Sequence, residues 1–187
     1  MDLFATVASG VFFDNATPAF SNSGLCGGGD GSYGYTQTTD YVYTPSTMYA
    51  TMDGATSWTI EGYVYITGYG ANQAIFGGIA GAAGHPSLYH DSTGSFAWND
   101  GATDTYVFVG GAVLNTCINW AVSADGANVR IYFDNVLKAT KAQKNYPTGG
   151  ISLGVRGTPA QYPSAASYID NVRISNITRS SFPTVDS

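Results

Sequence analysis

A chain of 187 residues with 11% charged residues and a net charge of −6 departs from an ordinary globular domain, which is about 25% charged, and its Gly, Thr, Ser, Asn and 14 tyrosines suit a turn-rich β protein. The seven cationic residues are scattered as Arg130, Lys138, Lys141, Lys144, Arg156, Arg173 and Arg179, so there is no cationic stripe for a nucleic acid backbone or an anionic membrane surface. No apolar run approaches the roughly 20 residues of a spanning helix, and a single domain over 1–187 with its own core is expected.

The amino terminus, MDLFATVASGVFF, has no basic residue before its apolar stretch and reads poorly as a secretion signal. Cys26 and Cys117 are therefore read as two buried thiols in preference to the alternative, a disulfide. Val11 to Phe13 reads as a first strand, followed by a turn at Asp14, Asn15 and Pro18. Residues 21–35 are dominated by glycine and lack the Lys-Ser/Thr and the helix of a phosphate loop, so a long surface loop is expected.

Asp40 to Pro45 alternates and ends at a proline, as a short strand does. Ser57 to Ile66, SWTIEGYVYI, has the clearest period of two: Trp58, Ile60, Gly62, Val64 and Ile66 share one face, and Thr59, Glu61, Tyr63 and Tyr65 the other. Glu61 is the only glutamate in the chain. Further strands are expected at 74–79, 87–90, 95–98 and 105–109. Asn119 to Ala124, an Asp125-Gly126 turn, Asn128 to Phe133, an Asp134-Asn135 turn and Val136 to Ala139 read as a three-strand meander. One helical turn is expected at 138–144, then strands at 149–155 and 167–175. In the last, alternation puts Tyr168, Asp170, Val172 and Ile174 on one face, and Ile169, Asn171 and Arg173 on the other. Turn signals every 8–12 residues or so point to a sandwich or barrel.

Three of these stretches resemble one family. SWTIEGYVYI is similar to the Thr-Ile-Glu-aromatic motif of laminin-G-like members of the concanavalin A-like lectin and glucanase superfamily. NWAVSADGANVRIYFDNVLKA resembles its Asp-Gly hairpin, and YIDNVRISNITRSSFP its closing strand, a form frequent in phage structural proteins. DYVYTP fits the strand before the first motif, so the likeness runs over roughly 40 to 183. Asn119 stands where the family often has His, Cys117 near its usual Trp, and Asn135 where Gly is usual. The resemblance implies an all-β, antiparallel β-sandwich of jelly-roll form, concanavalin A-like, and leaves activity open, because the superfamily holds enzymes, lectins and structural modules.

Enzymatic members similar to laminarinases carry closely spaced carboxylates on one strand, since a retaining glycosidase needs an ionised and a protonated carboxyl about 5–5.5 Å apart. Glu61 has Thr59 and Tyr63 at its flanking same-face positions, so no enzyme of that type is expected. A structural ion pair of Glu61 with Arg173, holding strand register, is expected instead. Asp91, Trp98, Asn99, Asp100 and Asp104 form the densest polar and aromatic cluster. Its sharper reading is a loop-rim glycan site in which Trp98 stacks on a sugar and Asn99, Asp100 and Asp104 bind hydroxyls, with Ca2+ as the one candidate ion. The plainer reading, favoured on the ordinary frequency of Asn, Asp and Gly in loops, makes Trp98 core and Asn99-Asp100-Gly101 a turn. His85 and His90 stand in no metal or triad pattern, and no cofactor is otherwise expected. The combination reads as a non-enzymatic virion protein on a phage capsid or tail. Its partners would be other virion proteins or a second copy, reached through exposed tyrosines, and the alternative is a carbohydrate-binding lectin module.

Overall fold

The computed structural model describes residues 2–4, 13–16, 19–21, 26, 32–35, 41–43, 54–71, 73–78, 86–100, 105–107, 111–144, 151–154 and 166–182. Among them there is no helix, and the strands run in chain order as β1 (Asp2–Phe4), β2 (Phe13–Ala16), β3 (Ala19–Ser21), β4 (Ser32–Tyr35), β5 (Tyr41–Tyr43), β6 (Ser57–Ile66), β7 (Gln73–Gly78) and β8 (Ser87–His90). They continue as β9 (Phe96–Asn99), β10 (Thr105–Val107), β11 (Cys117–Asp125), β12 (Asn128–Phe133), β13 (Val136–Ala142), β14 (Ile151–Leu153) and β15 (Ser167–Ser175). One sheet has the order β13-β12-β11-β6-β15-β4-β3, with β1 also on β15, and the other the order β10-β9-β8-β7-β14-β5-β2. All pairings are antiparallel, and the two sheets pack as a sandwich.

The period of two in β6 sets the sandwich. Trp58, Ile60, Val64 and Ile66 point inward and join Trp120 and Val122 of β11, Ile131 and Phe133 of β12, and Phe76, Leu88, Phe96 and Trp98 of the second sheet in one core. Phe76 stacks on Trp120 at 5.4 Å and meets Trp98 at 6.1 Å, and Phe96 stacks on Phe133 at 4.1 Å, so aromatic contacts tie sheet to sheet. Gly62 is an inward position with little room for a side chain: a Cβ there would lie 3.1 Å from the Asp170 carbonyl and 3.2 Å from both Trp120 and Val172.

The meander forms as the turn residues require. Asp125 Oδ1 accepts from the Ala127 and Asn128 amides and closes the first hairpin over Gly126, which has a φ of 91°. Asp134 and Asn135, with φ of 50° and 61°, make the second, the positive φ at both central residues that a type I′ turn demands.

Four expectations are corrected. Residues 138–144 make no helical turn, because β13 extends through Ala142 by pairing with β12. The glycine-rich stretch 21–35 is not wholly loop: Ser32–Tyr35 pairs with β15, and Cys26 is buried. Asp14 and Asn15 make no turn but lie in β2, which pairs with β5. Cys26 and Cys117 are disulfide-bonded, their Cα atoms 5.4 Å apart, within the range a bridge spans. The thiol expectation rested on a leader sequence, which bears on compartment, whereas the sheet decides which residues meet Cys117 at the start of β11.

Candidate functional site

On the outer face of the first sheet the registers of β11, β6 and β15 build four cross-strand rows: Ser123, Thr59 and Ser175; Ala121, Glu61 and Arg173; Asn119, Tyr63 and Asp170; and Cys117, Tyr65 and Tyr168. Arg173 donates through Nε to Glu61 Oε1, and its Nη2 makes an ion-pair contact with the same oxygen. Glu61 is 4% exposed and Asp170 1%, so the two carboxyl groups nearest in register are closed from solvent, one of them already bonded to a guanidinium. A glycosidase pair requires one carboxyl free to protonate a leaving group and the other free to attack. Among the described residues this face offers neither in an open groove.

The segment 176–182 straps one end of that face. The Arg179 amide donates to the Thr59 and Ser123 hydroxyls at 3.0 and 2.9 Å, Thr178 Oγ1 donates to the Ala124 carbonyl, and the Phe182 ring packs on Tyr132 at 4.7 Å. At the other end the Cys26–Cys117 bridge closes over the last row.

The outer face of the second sheet is a floor of small side chains. Ala74, Tyr89 and Ala97 cluster there, Ser87 and Ser152 are buried beside them, and Ser152 Oγ donates to the Gly77 carbonyl at 3.0 Å. Among the described residues in β7, β8, β9 and β14 this face carries no carboxylate.

The rim cluster is dispersed by strand alternation. Phe96 and Trp98 point inward, and Trp98, 1% exposed, is core, so its ring has no face to offer a sugar. Asn99 falls on the outer face opposite Ser87. Asp100, also buried, lies 3.5 Å from Lys144 Nζ and ties the end of β9 to the end of β13. Asp104 lies outside the described residues. Asp91 Oδ1 accepts from the Thr93 amide, the Thr93 hydroxyl and the Ser95 amide, and the Thr93 hydrogen bond above all lowers its pKa. It caps its own turn. Among the described residues no group of three or more His, Cys, Asp or Glu could hold a metal ion.

A polar pair that the sequence reading passed over lies at the inner rim of the second sheet. His90 and Gln73 are directly opposed between β8 and β7 and are 1% and 6% exposed. His90 Nδ1 lies 3.4 Å from the Asp91 carbonyl, and the Tyr69 ring stands edge-on to the imidazole at 6.3 Å. His90 Nε2 and Gln73 Oε1 have no hydrogen-bond partner among the described residues. Burial lowers the His90 pKa below 6.5. The signal was present in the alternation of SLYH, which puts His90 on the side of the apolar Leu88.

A family model of laminin G type, described as concanavalin A-like lectin/glucanases superfamily, matches residues 36–181. No curated protein matches the sequence. Among solved structures, the chain is similar in fold to domain 4 of a GH43 extracellular arabinanase from Geobacillus stearothermophilus in complex with arabinotriose, at 16% identity and a TM-score of 0.65, over 88% of this chain and 77% of that one. It is similar to Trypanosoma rangeli sialidase at 12% identity and a TM-score of 0.63, over 90% of this chain but only 30% of the sialidase. The botulinum neurotoxin type G receptor binding domain is matched at 11% identity and a TM-score of 0.62, over 90% of this chain and 43% of that one.

Proposed function

We propose a non-catalytic surface-recognition role for this chain, which belongs to the concanavalin A-like lectin/glucanases superfamily. One observation carries the reading: Glu61, the only glutamate, is bonded to Arg173 in a closed site. A carboxylate so engaged holds two central strands of the first sheet in register and is unavailable for bond cleavage. The disulfide supports a location in an oxidising environment, outside a cell or on a particle. The closing-strand resemblance supports a virion surface in particular, with another virion protein or a second copy as partner. Among the tyrosines whose burial is described, Tyr63, Tyr65, Tyr89, Tyr132 and Tyr168 are half-buried or buried and Tyr69, at 39%, is exposed, so on the described surface the apolar contacts of such a partner fall more readily on Val136 and Leu137 of the edge strand β13.

Glycan recognition is the second reading, supported by the arabinotriose complex of one structural neighbour and the receptor-binding role named for another. One experiment addresses both. The purified chain is incubated with arabinan, β-glucan and sialyllactose, products are measured, and retention on the same immobilised glycans is recorded. No turnover is expected on any of them. Turnover that disappears in Glu61→Gln would overturn the non-catalytic reading, and retention without turnover would select the glycan-binding form over a purely structural one.

A further inference from the structure

Three connections meet over His90. The β6–β7 connection brings Tyr69, whose hydroxyl donates to the Ala112 carbonyl. The β8–β9 turn brings Gly94, whose amide donates to the Asp91 carbonyl at 3.0 Å and whose carbonyl accepts from the Ala112 amide at 2.6 Å. The segment before β11 brings Ala112 itself, and Asn115, whose amide donates to the Ile66 carbonyl at 2.8 Å. A Cβ on Gly94 would lie 2.6 Å from the Tyr69 ring, so the closure is tight. Beneath it, His90 Nε2 and Gln73 Oε1, on directly opposed residues, are two polar atoms without a hydrogen-bond partner among the described residues.

We propose that buried His90, whose ring meets Tyr69 edge-on, is an acid-sensitive latch, in which protonation of its Nε2 releases the rim closure made by Tyr69, Gly94 and Ala112. Donation from Nδ1 to the Asp91 carbonyl leaves Nε2 as the basic nitrogen. A proton taken up there places an imidazolium on a side chain that is 1% exposed, where burial disfavours the charge. Among the described residues, the charged or titratable groups facing the ring from the packed elements are the Asp91 carboxylate on the following turn and the Tyr69 phenol. Asp91 Oδ1 is already engaged by Thr93 and Ser95, β7 contributes neutral Gln73, and residues 111–116 contribute no ionisable side chain. Burial is accordingly the dominant influence on the ring, and it favours the neutral form.

The test is amide hydrogen exchange on the full chain at about pH 7.5 and about pH 5, corrected for intrinsic rates, with Val122 in β11 as reference. Protection at Gly94 and Ala112 is expected to fall on acidification relative to Val122 and to stay unchanged in His90→Gln. His85→Gln, which removes the other histidine, is expected to keep the wild-type loss. Unchanged protection in the wild type, increased protection, or an equal loss in His90→Gln would overturn the latch. Should His90→Gln fail to fold, the wild-type imidazole titration followed by NMR decides. A midpoint below 6.5 that coincides with the loss of Ala112 protection supports the latch, and one at or above it overturns it.

Discussion

Glu61 of β6 and Arg173 of β15 face each other because β15 is one residue longer than its partner between Asp170 and Arg173. Asp170 pairs with Tyr63, so an unbroken ladder would set Val172 against Glu61 and turn Arg173 into the core. The bulge, with Asn171 at a φ of 50°, restores Val172 to the interior and delivers the guanidinium to the carboxylate.

Breaking this pair on one side leaves a buried charge. Arg173→Met is expected to destabilise the protein by about 3–5 kcal/mol, whereas Glu61→Leu with Arg173→Met is expected to recover most of that loss, as buried pairs replaced by apolar side chains do. Urea unfolding of the two single variants and the double variant measures the coupling. Additive losses would remove the pair from the account of stability.

The Cys26–Cys117 bridge spans a sequence separation of 91 residues, and closing a loop of that size restricts the unfolded chain by about 4–5 kcal/mol in the chain-entropy model. Thermal unfolding with and without reductant, or of Cys117→Ala, is expected to show a fall of roughly 8–20 °C, at about 2–4 °C per kcal/mol for a chain of this length. Coincident curves would mean that the bridge does not form in solution.

Trp98→Ala separates the two readings of the rim cluster. With the indole in the core between the sheets, the expected result is a loss of about 3–5 kcal/mol, typical of a large-to-small change at an aromatic core position. A variant of unchanged stability with selectively weakened glycan retention would restore Trp98 as a binding residue.

Asp125 gives the first hairpin an acid dependence. Its pKa is lowered to about 2, chiefly by the Asn128 amide and then by the Arg130 side chain and the Ala127 amide. Because the folded value lies below the ordinary 3.8, its contribution is present above that value and is lost as pH falls through about 2. In Asp125→Asn, stability is expected to be lower at neutral pH and to fall less steeply across that acid window. Unfolding midpoints followed through the window check this, and equal slopes in the two proteins would refute it.

The alternation in SWTIEGYVYI, in the Asp125-Gly126 meander and in FAWN is a local property of the strand, in which successive side chains leave opposite faces. From it follow the inward set of β6, the hairpin partners and the β class of the fold, and the core position of Trp98 could be read there too. Alternation failed at β15, where it put Ile169 with Arg173 and Asp170 with Val172. In the fold Ile169, Val172 and Ile174 are core while Arg173 lies outside, because an inserted residue is visible only against the strand it pairs with.

Pairing partners themselves belong to the tertiary structure. So do the bond between cysteines far apart in the chain, the salt bridge from Asp100 to Lys144 and the closure over His90. Each joins segments distant in sequence, and the free energy that selects them comes from burying the common core of two sheets, a quantity no single stretch contains. The residues set which face each strand presents inward. The packing of the sheets decided which polar groups were left to meet outside it.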